Sequence, residues 1–163
     1  MNTLTNAATL TVHARLRLVG VAVEADANDN AHQEAFEETG FWGNAGAGCL
    51  FLARNTKRLM FAQRSKDVAE PLTWGTWGGA INKGETPKQG VTREVKEETK
   101  YTGKLELVPM YLFKHNSGFK YHNFIALVDD EFKPKLDWEN KAFRWVEFGD
   151  WPKPMHPGAK KFL

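Results

Sequence analysis

The chain has 163 residues, 42% of them hydrophobic and 26% charged, values that suit one compact globular domain with a real core. Lys plus Arg number 22 and Asp plus Glu 20, so the formal net charge of +2 is too balanced for a nucleic-acid scaffold or a membrane-surface protein. A single cysteine, Cys49, excludes an internal disulfide and a cysteine-based zinc site, and fits a reducing, cytoplasmic compartment.

Residues 10–18 alternate: Leu10, Val12, Ala14, Leu16 and Leu18 are apolar and the residues between them polar. This period-2 pattern predicts a half-buried strand reaching Val23, on a sheet edge or at a subunit contact. Residues 31–39 suit a short helix with Gly40 as its C-cap, and 43–48 a flexible connector. A hairpin follows, with strands at 49–53 and 58–63 around a turn at 54–57. Residues 67–83 read as a long loop containing Trp74 and Trp77. Thr86 is placed to cap a helix, with Pro87 at its first position and Gln89 completing a capping box; the helix is expected to end near Gly103. Strands are predicted at 105–113, 121–128 and 143–148, then a Pro-rich tail from Pro152. No repeat or linker interrupts the chain. The expectation is one domain over 1–163: an extension at about 1–42, a core over 46–150 and a tail over 151–163. Strands around one strong helix predict a mixed α/β sandwich.

The chemistry concentrates between Gly78 and Tyr101. Glu94, Glu97 and Glu98 stand at i, i+3 and i+4, so a helix brings their carboxylates onto one arc. Val91 and Val95 lie beside that arc to anchor the helix, and Lys96 and Lys100 fall on the other side. Adjacent carboxylates repel by ~0.2–0.5 kcal/mol per pair on an exposed helix, so segregating the lysines makes sense if a hard cation sits over the glutamates. The helix alone is equally consistent with a solvated acidic face. The preceding loop favours the cation, because Gly78, Gly79 and Gly84 let main chain approach a ligand closely, and Glu85 is placed to pair with Arg93. Competing motifs fail. The glycines at 46 and 48 do not complete a dinucleotide fingerprint, no P-loop ending follows Gly79, neither serine lies in a nucleophile elbow, and the five histidines are scattered.

The spacing Gly79, five residues, Glu85, seven residues, Arg93-Glu94-Val95-Lys96-Glu97-Glu98 resembles the Nudix box. One fixed position departs, with Lys100 where the motif has its second glycine; Tyr101 serves as the final bulky apolar residue. The resemblance extends to Trp74–Gly79, to Phe61–Ser65, which ends beside Arg64, and to Glu139 before Arg144-Trp145-Val146, so that it covers about residues 46–150. It implies a Nudix-type α/β/α sandwich with a mixed β-sheet. It also implies hydrolysis of a phosphoanhydride in a nucleoside diphosphate linked to another moiety, with Mg²⁺ or Mn²⁺ as cofactor. By the same carry-over Glu94, Glu97 and Glu98 bind metal, with Glu98 the first choice of ligand, and Glu85 and Arg93 form a brace. Glu97, Glu98, Arg93 and Glu139 form the catalytic set, Glu139 as general base or additional ligand, with Asp129, Asp130 and Glu131 as competing loop acids. Arg64, Gly79 and Trp77 are the substrate-binding candidates, although core packing is the stronger expectation for both Trp74 and Trp77. The expected partner is a nucleotide-type small molecule, with no membrane; capped RNA ends and a homodimer stay open. The alternative is a Nudix-fold nucleotide sensor without hydrolytic activity, against which the intact glutamates count. Lys100 is expected to let the helix run on to Gly103 instead of adopting a positive φ.

Overall fold

The computed structural model describes residues 45–163 apart from Ser117. The expected strand over 10–23 and helix over 31–39 lie outside these residues. Chain order is β1 (Ala45–Ala53), β2 (Leu59–Arg64), β3 (Trp74–Gly75), β4 (Trp77–Ala80), α1 (Pro87–Thr99), β5 (Glu106–Lys114), β6 (Lys120–Val128), β7 (Asn140–Val146) and α2 (Pro157–Phe162).

The seven strands form one mixed sheet with β1 at its centre. β1 runs parallel to β6 along its whole length, from Ala45 opposite Lys120 to Ala53 opposite Val128. Its other edge is shared: β4 pairs with the first half and β2 with the second, both antiparallel. β5 extends the sheet beyond β6, while β3 and β7 flank β2. Alternation along β1 then builds two cores. Leu50 and Leu52 point to one face with Leu59, Phe61, Ile125 and Leu127. Ala47, Cys49, Phe51 and Ala53 point to the other with Met60, Phe124 and Ala126. A two-sided apolar sheet must be covered on both faces. α1 covers the second face with Val91 and Val95, and α2 covers the first with Ala159 and Phe162. The result is the expected α/β/α sandwich with a mixed sheet. No helix among the described residues is long and apolar enough to cross a membrane.

The hairpin around residues 54–57 is where the sequence places it, but four other expectations need correction. Residues 45–48 are the start of β1, not a connector. Their glycines carry no side-chain alternation to read; they are small because the Tyr121 ring lies across them, and a Cβ on Gly46 would come within 2.6 Å of it. The loop over 67–83 contains β3 and β4, the latter pairing main chain to main chain with β1. The tail after Pro152 contains α2, whose Phe162 is fully buried. Finally, α1 ends at Thr99, and Lys100 is a left-handed C-cap at φ 57°. The chain must turn there because Tyr101 is drawn into an aromatic cluster, 5.9 Å from the Phe51 ring and 4.4 Å from Phe132. Lys100 donates its N–H to Lys96 O and its ammonium to Glu97 O, satisfying two helix-end carbonyls.

Candidate active site

The start of α1 is fixed by its own sequence. The Thr86 hydroxyl accepts from Gln89 N, and the Gln89 side chain accepts in return from Thr86 N, a complete capping box. Ahead of the cap, Glu85 is clamped by the Arg93 guanidinium at 2.8 and 3.1 Å and also accepts from Asn82 N. Arg93 donates in addition to Ala80 O, so one guanidinium ties β4, the loop and α1 together. This is the brace expected of Glu85 and Arg93. It holds the Glu85 carboxyl below the ordinary range, chiefly through the Arg93 hydrogen bond, and raises the Arg93 pKa in turn.

The three box carboxylates stand in unlike surroundings. Glu97 is the exposed one and meets Arg93 at 3.2 Å. Glu94 is mostly buried, bonded to Arg93 at 2.7 Å and pressed against Gly79, where a Cβ would come within 2.7 Å of its Oε1. Gly79 is needed here for close approach. Burial raises the Glu94 pKa more than Arg93 lowers it. Glu98 is only 5% exposed. Its Oε2 accepts from Gly78 N at 2.7 Å and its Oε1 from Asn140 Nδ2 at 2.9 Å. Gly78 sits at φ 145° with Ala47 O 2.2 Å from where a Cβ would lie, so only glycine can present that N–H. Burial pushes Glu98 up to about 8, against the lowering effect of these two donors.

Glu139 joins this group through the sheet. The register of β2 on β7 sets Arg64 opposite Asn140, and Ser65 N donates to Glu139 O, so Glu139 lies beside Arg64 at the sheet end where Asn140 meets Glu98. Its carboxyl is raised by burial, then by the charges of Asp137 and Glu94, with Arg64 opposing. The competing acids sit elsewhere. Asp129 is paired with Arg54, Asp130 with Asn55, and Glu131 with Arg58 and Thr56, which locks the β1–β2 turn to the end of β6. Sequence reasoning missed Asn140, whose buried amide positions Glu98; an amide at the mouth of a strand is the one signal that marked it.

A cleft of about 330 Å³ opens beside the glycine loop. Its lining includes Arg64 and Gly78, Phe113, Phe119, Tyr121 and Asn123, and His156 and Lys161 of the α2 segment. Gly78 thus faces both the cleft and, through its N–H, Glu98. Arg64 is oriented by donating Nε to Ala69 O. Trp77 does not reach the cleft. It is fully buried, with Nε1 donating to Met60 O, so the substrate-binding expectation for it is corrected in favour of core packing.

Among the described residues no three acidic, His or Cys side chains form a ready-made metal cage. The donor set nevertheless fits a hard divalent cation. It is all carboxylate oxygen, and Mg²⁺ habitually takes one or two protein carboxylates together with waters and substrate phosphates. The pKa values of Glu94, Glu98 and Glu139 are all raised, first by burial and then by neighbouring carboxylates.

Comparison with known proteins agrees with this geometry. The chain is 32% identical over 121 residues to a nucleoside triphosphate pyrophosphatase/Nudix hydrolase fusion protein of Bifidobacterium longum, covering 68% of this chain but only 25% of that much longer protein. It is 27% identical to the dihydroneopterin triphosphate diphosphatase of Haemophilus influenzae, covering 69% of this chain and 79% of the relative. A Nudix hydrolase of M. smegmatis shares the fold with a TM-score of 0.59 at 22% identity, over 74% of this chain and 82% of that one. The NUDIX domain family model matches residues 42–163, taking in every strand and both helices described above, and the chain therefore belongs to the Nudix family.

Proposed function

We propose that this protein is a divalent-metal-dependent hydrolase that cleaves a phosphoanhydride bond in a nucleoside diphosphate linked to a further group. The observation that carries the reading is the junction at Gly78 and Gly79. There the carboxylates of Glu94 and Glu98 are pinned against a glycine loop that also forms the end of a cleft beside Arg64. Two relatives support the reading: the nucleoside triphosphate pyrophosphatase/Nudix hydrolase fusion protein of Bifidobacterium, a quarter of which this chain matches, and the dihydroneopterin triphosphate diphosphatase of Haemophilus.

Glu94, Glu97 and Glu98 would hold Mg²⁺ or Mn²⁺, which when bound neutralises phosphoryl charge and acidifies water. The chain's own residues supply the rest. Arg64 binds the phosphates from the cleft side. Gly79 lets the loop main chain approach Glu94, and the Glu85–Arg93 pair keeps Glu94 and the loop in register. Glu139 takes the proton from the attacking water, a task suited to a half-buried carboxylate whose proton affinity burial raises. We assign it to the cytoplasm, on the strength of its one buried thiol, Cys49.

The test is a phosphate-release screen over nucleoside triphosphates, nucleotide sugars, dinucleoside polyphosphates and pterin triphosphates, run with Mg²⁺, with Mn²⁺ and with excess EDTA. Turnover of some members that EDTA abolishes and Mg²⁺ or Mn²⁺ restores is the expected result. Full turnover in EDTA would sink the metal mechanism. Nucleotide binding without turnover of any member would leave a sensor in place of an enzyme.

A further inference from the structure

The cleft contains one polar group that the hydrolytic chemistry does not use. Asn123 lies on β6 between Tyr121 and Ile125 and is only 6% exposed. Its only side-chain hydrogen bond among the described residues is a long one, 3.4 Å from Nδ2 to Tyr121 O on its own strand. An amide offers two donors and an acceptor, and one buried for structural reasons ordinarily has partners for both of its heads. No fully enclosed side-chain nitrogen or oxygen among the described residues lacks a partner. The unengaged Asn123 oxygen is therefore reachable, and Asn123 is one of the residues that line the cleft.

The surroundings of that amide define what it meets. Phe113, Phe119 and Tyr121 line the same cleft with aromatic rings, the last two with centroids 6.4 Å apart. The cations of the cleft come from other elements: Arg64 from β2, and Lys161 from α2, whose ammonium stands over the Phe113 ring at 4.6 Å. A phosphate chain is drawn to Arg64 and the Gly78 end. A sugar would leave most of its hydroxyls unpaired against aromatic walls. A planar ring with polar atoms on one edge satisfies both the walls and the amide, and the volume of about 330 Å³ lies within the range of small-molecule sites, roughly 300–1,000 Å³.

We propose that Asn123 is a specificity-determining residue that reads the edge of a heteroaromatic base, so that the substrate is a phosphorylated compound whose purine, pyrimidine or pterin ring enters this cleft with its donor–acceptor edge on the Asn123 amide. The inference rests on the cleft being the substrate site of the proposed hydrolase, but it concerns binding and can be tested without turnover.

The experiment titrates the full chain, in EDTA, with AMP, GMP, CMP and ribose 5-phosphate by isothermal calorimetry, for the wild type and for Asn123→Leu and Asn123→Asp. At least one base-bearing monophosphate should bind the wild type more tightly than ribose 5-phosphate does. Asn123→Leu should weaken that ligand about tenfold or more while leaving ribose 5-phosphate unchanged. Asn123→Asp has nearly the same shape and turns the amide into an acceptor only, so it should shift preference towards GMP, whose ring edge carries adjacent donors. Asn123→Asp keeps the test open should Asn123→Leu fail to fold. Equal loss for ribose 5-phosphate, an unaltered order of ligands in Asn123→Asp, or no wild-type preference for a base would each overturn the assignment. Failure of the hydrolase reading would look different: base-dependent binding would persist with no phosphate released in the metal screen.

Discussion

The two faces of the sheet solve opposite problems. On the α1 side, one run of residues from Gly78 to Tyr101 carries the loop, the brace and all three clustered glutamates, and the difficulty is holding like charges together. The donors that do so are local: Gly78 N–H for Glu98 and the Arg93 guanidinium for Glu94 and Glu97, with Asn140 the one distant contributor. On the α2 side the cleft is gathered from β2, the glycine loop, β5, β6 and the C-terminal segment. Here the difficulty is bringing distant pieces to one place, and apolar packing under the cleft does it. The comparison teaches that reaction chemistry can be written into a short motif, while recognition depends on the whole sheet. Variants on the two faces should therefore fail in different ways.

The largest effect is expected from Phe162→Ala. Phe162 is fully buried and ties α2 to the first core, with Leu59, Phe61 and Trp74 in the same cluster. Truncating a buried phenylalanine costs roughly 3–5 kcal/mol, so chemical denaturation should show a loss of that order. A loss below about 1 kcal/mol would mean that α2 is a loosely docked tail after all.

Glu98→Gln should separate chemistry from folding. The side chain keeps its shape but turns one acceptor into a donor facing Gly78 N or Asn140 Nδ2, so stability should fall by only about 1–3 kcal/mol and the protein should still fold, while kcat drops ~10²-fold, the scale for losing an electrostatic group at a reacting centre. Unfolding of this variant would reassign Glu98 to structure. Glu139→Gln should lower kcat strongly, leave KM nearly unchanged and flatten the acid limb of the pH–rate profile. Near wild-type kcat would remove Glu139 from the mechanism, and with Glu131 bound to Arg58 at the far turn, Asp137 becomes the next acid to test.

These contrasts also explain what could be read beforehand. The capping box, the Glu85–Arg93 pair and the carboxylate arc depend on spacing within one helix and its loop, and all are where the sequence puts them. β4 escaped because glycines have no side chains to alternate; what they reveal is crowding, by the Ala47–Gly48 main chain at Gly78 and by Glu94 at Gly79. α2 has Pro157 at its first position and Ala159, Phe162 and Leu163 on one face, but six residues are too few for periodicity to speak, and its stability comes from a core assembled elsewhere. Asn123 interrupts an apolar alternation of Tyr121, Ile125 and Leu127, which was visible, but its meaning needs the cleft.

His156 offers a pH test confined to the α2 side. Its imidazole caps α2 by accepting from Gly158 N, and burial, with the Arg64 charge next, lowers its pKa from 6.5 to about 4, Glu70 acting weakly the other way. The folded protein thus binds this proton less readily than the unfolded chain. The histidine's contribution to stability is complete above pH 6.5 and is lost as pH falls from there towards 4. His156→Asn keeps a capping acceptor and removes the titration, so the fall in Tm between pH 7 and pH 4.5 should be smaller than in the wild type. An identical fall in both proteins would show that other carboxylates govern acid sensitivity.

The smallest expected effect is at Lys100, on the α1 side. A non-glycine residue in the left-handed region carries a cost of roughly 1–2 kcal/mol. Here that cost is set against the ammonium bond to Glu97 O and the turn that delivers Tyr101 to Phe51 and Phe132. Lys100→Gly relieves the backbone and loses only the exposed ammonium contact, so it should stabilise the protein by up to ~1 kcal/mol, a rise of a few degrees in Tm. Lys100→Ala keeps the strain and loses the contact, and should be the least stable of the three. Activity should stay at the wild-type level in both, because the Lys100 side chain turns back to the Glu97 carbonyl and away from the carboxylates on the arc. The order Gly, Lys, Ala in Tm would show that the turn after α1 is imposed by Tyr101 packing. Lys above Gly would instead mean that the ammonium cap outweighs the backbone strain.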